Sequence, residues 1–287
     1  MTGTFAATVD GGPVAAAGKV TIGHGKTSSL TALLSSLITP GLAGDTETIT
    51  AVSAKLGTAT LTAGAVSYTA PVTGPDVVTY TATDQLGEVA SGSVTVTVDT
   101  GPKLTGVTVA KVGHGQTVKA ATVLPGITGD QVSLATLTAG LGTLSLANGV
   151  VSYTAPNAGG PDSIGYQVID QYGEAVTGTF VTQVDPGPTA GTLSTTSKLG
   201  VTTDLTSAIL GVDKVGLPGD VLSLSGIGTT GTLGAVSFAN GRISYAAIGA
   251  ALAAAAGHGG TTDSFAYTVQ DQLGERVGGL VTIQVVM

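Results

Sequence analysis

Apolar and polar residues alternate along much of the chain. Residues 46–52, 58–61, 65–69, 77–83 and 93–98 each switch character with a period of two, which predicts half-buried β-strands. The tract Asp84-Gln85-Leu86-Gly87 joins two of these runs. Asp at the first turn position and Gly at the fourth predict a type I hairpin turn closed by a Gly bulge. One stretch breaks the period: Leu30, Leu33, Leu34, Leu37 and Ile38 fall at helical spacing behind Ser/Thr caps and before Pro40-Gly41. A short helix or helical turns within residues 27–38 follow from that spacing. Residues 203–210 are a shorter counterpart, and the Ala-rich run 250–256 predicts another short helix ahead of Gly257.

The pattern occurs three times. Pro75-Asp76, Tyr80 and Asp84-Gln85-Leu86-Gly87-Glu88 recur as Pro161-Asp162, Tyr166 and Asp170-Gln171-Tyr172-Gly173-Glu174. They recur again as Thr262-Asp263, Tyr267 and Asp271-Gln272-Leu273-Gly274-Glu275, at offsets of 86 and then 101 residues. Gly44-Asp45, Gly129-Asp130 and Gly219-Asp220 each open an alternating stretch upstream, and Tyr68, Tyr153 and Tyr245 lie between. A fixed period sets the domain plan: repeats over 11–100, 101–186 and 187–287, the third lengthened mainly by residues 246–260. Residues 3–10 match the repeat-ending strand at 178–185, so residues 1–10 read as a fourth final strand. That strand is either the severed end of a preceding repeat or a strand donated to a neighbouring molecule's sheet edge.

Composition narrows the class. Gly numbers 45, aromatics are 4% and charged residues 10%, which suits short strands and tight turns. A net charge of −8 with scattered Lys and Arg excludes a nucleic-acid footprint. No apolar run approaches membrane-span length, and the first residues lack a basic and apolar leader pattern. The expectation is a chain without a membrane span, whose leader was removed, whose export signal is of another kind, or which is an excised segment. There is no cysteine, so no disulfide can hold a sheet pair.

These landmarks together resemble the immunoglobulin-like and cadherin-like tandem repeats of large bacterial surface adhesins and surface-layer-type proteins. The resemblance implies an all-β chain of three tandem immunoglobulin-like Greek-key β-sandwiches with short helical turns. It also implies a structural tyrosine corner from Asp76 and Tyr80, Asp162 and Tyr166, and Asp263 and Tyr267, each Tyr buried with its hydroxyl bonded to backbone. Where antibody domains carry a disulfide Cys, this chain has Ala82, Val168 and Val269. Many relatives bind Ca²⁺ through acids before the Gly-Asp strand, but residues 36–45 keep one acid, Asp45. Because Ca²⁺ takes six to eight oxygen ligands and the acid cluster that would supply them is replaced, Ca²⁺ is expected to have little influence on folding.

The remaining acids have a mechanical reading. Asp84 with Gly87, Asp170 with Gly173 and Asp271 with Gly274 are hairpin-turn residues, and with Glu88, Glu174 and Glu275 they read as turn and surface positions. Asp10, Asp99 and Asp185 head the Gly- and Pro-rich linkers; they are solvated linker acids or, with an acid from an adjoining loop, ligands of an interdomain Ca²⁺. His24, His114 and His258 sit in Gly-His-Gly tracts and read as turn or surface residues, and no nucleophile or metalloprotease motif accompanies them. No catalytic residues and no cofactor other than Ca²⁺ follow. The chain reads as a non-enzymatic structural or assembly segment of a bacterial extracellular or cell-surface protein: a stalk, filament or surface-layer element. Its partners would be neighbouring repeats or its own copies. The alternative is an adhesive module recognising carbohydrate or a host protein through loops, with Tyr172 as its exposed anchor.

Overall fold

Period-two alternation becomes a buried face wherever two sheets meet. Along Asp76–Thr83 the buried residues are Asp76, Val78, Tyr80 and Ala82, and their neighbours point outward. The computed structural model describes Thr4 and residues 7–256 and 260–287. Its first repeat contains β1 (Val14–Ala15), β2 (Gly18–Gly23), β3 (Thr27–Ser29), α1 (Thr31–Ser36), β4 (Ile38–Thr39), β5 (Thr48–Ala54), β6 (Thr58–Thr62), β7 (Ala65–Thr69), β8 (Asp76–Thr83) and β9 (Val89–Asp99). A sheet ordered β2-β9-β8-β5 packs on one ordered β3-β7-β6, while β1 pairs with β4.

The second repeat runs through β10 (Lys103–Gly106), β11 (Lys111–Gly113), β12 (Thr117–Leu124), β13 (Val132–Thr138), β14 (Thr143–Ala147), β15 (Val150–Thr154), β16 (Gly160–Asp170) and β17 (Ala175–Asp185). Its sheets are β10-β12-β15-β14 and β11-β17-β16-β13. The third comprises β18 (Thr192–Lys198), β19 (Thr202–Asp204), α2 (Thr206–Val212), β20 (Ser223–Gly228), β21 (Ala235–Ala239), β22 (Arg242–Ala246), α3 (Ala250–Ala256), β23 (Thr261–Gln270) and β24 (Arg276–Val286). Here β18-β24-β23-β20 faces β19-β22-β21. In each repeat the chain crosses between sheets and back, giving the immunoglobulin-like Greek key with a separate hydrophobic core per sandwich.

The two halves of the sequence pattern meet in α1. Leu30 and Leu34, spaced four apart, are both buried in the first core. The helix has Leu30 at its N-cap and no side-chain cap. Thr31 Oγ1 instead accepts a hydrogen bond from Val66 N at 2.8 Å, because β7 lies close enough to take the hydroxyl the sequence offers for capping. The second repeat has the continuous strand β12 at the corresponding place. Residues 7–10 belong to no strand, since they have no ladder partner among the described residues. Met1, Thr2, Gly3, Phe5 and Ala6, on which the rest of the N-terminal strand expectation falls, lie outside the described residues.

The Asp and Tyr of each presumed corner do not bond to each other. They stand four positions apart on one strand, about 13 Å along one face. Asp76 Oδ2 accepts Tyr68 Oη at 2.7 Å and Gly57 N at 2.7 Å, while Oδ1 accepts Leu56 N at 2.9 Å. Asp162 does the same with Tyr153, Leu141 and Gly142, and Asp263 with Tyr245, Leu233 and Gly234. Each lock ties a strand of one sheet to a strand of the other and to the loop that crosses between them. The second tyrosine of each repeat is also buried. Tyr80 Oη donates to the backbone at Ala16 O, 2.7 Å away, whereas Tyr267 Oη lies 2.5 Å from Asp213 Oδ1, just past α2, and 2.9 Å from Gly191 O, so these hydroxyls bond to residues outside their own strand. The rings of Tyr80, Tyr166 and Tyr267 lie over Gly92, Gly178 and Gly279, where a Cβ would overlap them.

Burial alone would raise the Asp76 carboxyl, but the donors Gly57 N, Tyr68 Oη, Val77 N and Leu56 N outweigh it and hold the group below its ordinary value; Asp162 and Asp263 are lowered likewise. A depressed folded-state value stabilises the fold above the unfolded value near 4, and this contribution is lost as pH falls through the folded value. Tyr68→Phe is expected to destabilise the first sandwich by about 1–3 kcal/mol at neutral pH. In denaturant titrations the deficit should shrink as the pH falls through the depressed folded-state value of Asp76 and the carboxylate loses its charge. A deficit independent of pH would sink this account.

Candidate metal centres at the repeat junctions

Each sandwich ends beside its own beginning. The parallel pairs β2 with β9 and β11 with β17 place Gly23 opposite Asp99 and Gly113 opposite Asp185. The next residue is a histidine in both cases: His24 N donates to Asp99 O at 2.9 Å and His114 N to Asp185 O at 3.0 Å. The linker then turns sharply. Asp99 Oδ1 accepts Gly101 N at 3.1 Å and Asp185 Oδ1 accepts Gly187 N at 2.9 Å, with φ of 74° and 78° at these glycines. Such left-handed values favour Gly at that linker position. A loop of the following repeat passes so near that a Cβ on Gly126 or Gly216 would overlap the linker carboxylate.

Onto this linker the following repeat folds its last hairpin. Asp170 N donates to Glu174 O at 3.0 Å, Gly173 has φ 78°, and Asp170 Oδ1 accepts both Tyr172 N at 2.8 Å and Glu174 N at 2.9 Å. Asp84 and Asp271 organise their hairpins with the same bonds. One carboxylate oxygen thus makes the turn, which leaves the other to face the linker. Tyr172 is half-buried.

Three clusters result: Asp99, Asp170 and Glu174; Asp185, Asp271 and Glu275; and Asp10, Asp84 and Glu88, each offering ligand oxygens within 4.8 Å of one another. The first two straddle junctions, taking one acid from the preceding repeat's end and two from the next. Their residues are not solvated, contrary to the surface and linker expectation. Asp99 and Asp185 are 0% exposed, and Asp170, Glu174, Asp271 and Glu275 are buried, because the hairpin closes over the linker. Glu88 in the remaining cluster is exposed. Asp99 Oδ2, Asp170 Oδ2, Glu174 Oε2, Asp185 Oδ2, Asp271 Oδ2 and Glu275 Oε2 are buried without a hydrogen-bond partner.

Burial pushes the Asp99 and Asp185 carboxyls up, the linker glycine N–H groups oppose this, and neighbouring carboxylates add to the rise. Glu174 and Glu275 are raised for the same first reason, moderated by His24 and His114. Two like charges at such a separation repel by about 3–4 kcal/mol at an effective dielectric constant near 20. Three ionised groups therefore call for a proton or a cation. The donor set consists of hard carboxylate oxygens, which suits Ca²⁺, with water completing its shell.

The histidines are not idle turn residues. His24 Nδ1 lies against Glu174 Oε1 and His114 Nδ1 against Glu275 Oε1, each pair crossing a junction. Lys26 Nζ donates to Gly173 O at 3.2 Å and Gln116 Nε2 to Leu273 O at 2.9 Å across the same two junctions. His258 lies outside the described residues. Sequence reasoning missed Lys111, Asp130 and Asp220; the recurring Gly-Asp pair was visible there but signalled only a strand start.

The electrostatic account predicts the outcome of Asp170→Asn. The amide oxygen can still accept from Tyr172 N and Glu174 N, while one negative charge is removed. In chelator the variant should be more stable than the parent by about 1 kcal/mol or more, read by denaturant midpoint. Equal or lower stability in chelator would contradict a repulsive cluster.

Residues 10–97 match the family model described as "Bacterial Ig domain". No curated protein matches the chain. Among solved structures, the titin I-band fragment I67–I69 is 12% identical over 96% of both chains with a TM-score of 0.38. The human desmocollin-1 ectodomain is 12% identical over 94% of this chain and 60% of its own, with a TM-score of 0.31. The eight N-terminal Ig domains of Down syndrome cell adhesion molecule are 14% identical over 97% and 37%, with a TM-score of 0.33. At these scores the likenesses carry no argument of their own. No helix among the described residues is long and apolar enough to cross a membrane. The match to the bacterial Ig domain family, whose members are typically non-catalytic surface or extracellular modules, covers residues 10–97, and the chain as a whole folds as a tandem of immunoglobulin-like sandwiches.

Proposed function

We propose that this chain is a non-enzymatic structural segment of a bacterial extracellular or cell-surface protein, a stalk or filament element whose stacked sandwiches are stiffened by Ca²⁺ held between repeats. The observation that carries the reading is the buried acid cluster at each junction, built from two repeats and holding carboxylate oxygens without partners. Short linkers support it too, since β9 ends at Asp99 and β10 begins at Lys103, leaving neighbouring sandwiches little freedom.

Asp99, Asp170 and Glu174 would hold the ion at the first junction, and Asp185, Asp271 and Glu275 at the second. Bound Ca²⁺ would supply the positive charge that these carboxylates lack. With ligands on both repeats, binding would favour one relative orientation over the others. Neighbouring repeats of a longer chain are the natural partners, because the hairpin acids of the first repeat, Asp84 and Glu88, meet Asp10 ahead of it as the second and third repeats' hairpin acids meet the ends of their predecessors.

For a dissociation constant near 0.1 mM, roughly 1 mM Ca²⁺ contributes about 1.4 kcal/mol per site. Melting of the whole chain in Ca²⁺ should therefore lie about 5–10 °C above melting in chelator. Small-angle scattering should show a longer, better-defined rod with Ca²⁺. Superimposable melting curves and scattering profiles in the two conditions would defeat the proposal.

A further inference from the structure

The junctions are not alike, and the difference lies in a fourth acid. The loop whose Gly126 abuts the Asp99 carboxylate also carries Asp130, and the loop whose Gly216 abuts the Asp185 carboxylate carries Asp220. Both aspartates spend one oxygen in the same way: Ile127 N donates to Asp130 Oδ2 at 2.9 Å and Leu217 N to Asp220 Oδ2 at 2.6 Å. Their other oxygens differ. Asp220 Oδ1 accepts Lys111 Nζ at 2.9 Å and Gln272 Nε2 at 2.6 Å, and the same ammonium donates to Pro218 O at 3.2 Å. Asp130 Oδ1 is buried without a partner.

Lys111 belongs to the second repeat and Asp220 to the third, so this ion pair spans the junction. Strand register identifies its counterpart one repeat earlier. Lys111 pairs with Gln183, two residues before Asp185, and Thr21 pairs with Thr97, two residues before Asp99. A threonine at that position carries neither the reach nor the charge of a lysine. Each junction thus gathers four carboxylates, and only the second has a protein ammonium seated on one of them.

Building on the reading of these clusters as Ca²⁺ sites, we infer that Lys111 is a built-in counter-ion that fixes the second junction without an added cation, whereas Thr21 leaves the first junction dependent on one. Lys111 offsets the charge of Asp220 directly, with its ammonium 2.9 Å from Asp220 Oδ1. Among the described residues nothing plays that part for Asp130: at the first junction Lys26 Nζ is bonded to Gly173 O and His24 lies against Glu174, which leaves a divalent ion as the cation for Asp130 Oδ1. The segment is then a rod with one cation-controlled joint and one permanent joint.

The chain has no cysteine, so introduced pairs can be spin-labelled without background. Thr60, Ser145 and Ser237 are exposed and occupy matching places on β6, β14 and β21. Thr60→Cys with Ser145→Cys reports the first junction, and Ser145→Cys with Ser237→Cys the second. On moving from chelator to roughly 1 mM Ca²⁺, the width of the first distance distribution should fall by about half and the second should not change. Lys111→Thr should broaden the second in chelator and make it narrow with Ca²⁺, and Thr21→Lys should narrow the first in chelator. Equal narrowing at both junctions of the parent would overturn this inference while leaving the Ca²⁺ reading intact. Ca²⁺ changing neither distribution, in the parent or in Lys111→Thr, would overturn both.

Discussion

The parallel pairing of an early strand of each sandwich with its last, β2 with β9, β11 with β17 and β18 with β24, is the constraint on which the other features rest. It brings the exit of a repeat alongside the loop that follows its entry strand. In the first two repeats that loop carries the histidine and, two residues on, Lys26 or Gln116, so the departing linker and the groups that clasp the next hairpin occupy one end of the sandwich. A repeat with this pairing has its docking surface specified by its own closure. The next repeat meets it with the hairpin that its own last two strands require.

Without cysteine the sandwiches need another tie between sheets, and the Asp–Tyr locks supply it. A buried carboxylate is costly unless its oxygens are fully used. Asp76, Asp162 and Asp263 accept from two loop amides and a phenol, and their lowered pKa values follow from those bonds. The junction acids are the opposite case. At Asp99 and Asp185 one oxygen shapes a turn and the other is buried without a donor, so burial first and the neighbouring carboxylates second raise the pKa. The same residue type thus serves to lock a domain or to sense what lies between domains, depending on how many donors surround it.

Much of the fold could be read from the sequence because each strand is a local pattern. Residues 65–69, expected to alternate, coincide with β7, and the helices at 31–36, 206–212 and 250–256 fall within or beside the segments where helical spacing or Ala content placed them. The Asp84, Asp170 and Asp271 turns were legible for the same reason, since turn chemistry acts over four residues. The pairing of Asp76 with Tyr68 was not, because which tyrosine faces an aspartate across the core depends on sheet packing. Nor was the burial of Asp99 beside Glu174, 75 positions apart along the chain. Linker acids and hairpin acids each have a sufficient local explanation, and only the docking of one repeat on another shows that the two meet.

The parallel ladders have a mechanical consequence. Tension applied across one of these pairs, between the start of the early strand and the end of the last, draws two parallel neighbours past each other along their length, so the hydrogen bonds between them are loaded together, in shear, and not one at a time. The number of paired residues sharing the load is six for β2 with β9, three for β11 with β17 and seven for β18 with β24. The middle sandwich has the shortest such seam. In a segment pulled from both ends it is the place where sliding begins, and its yielding spares the longer seams on either side.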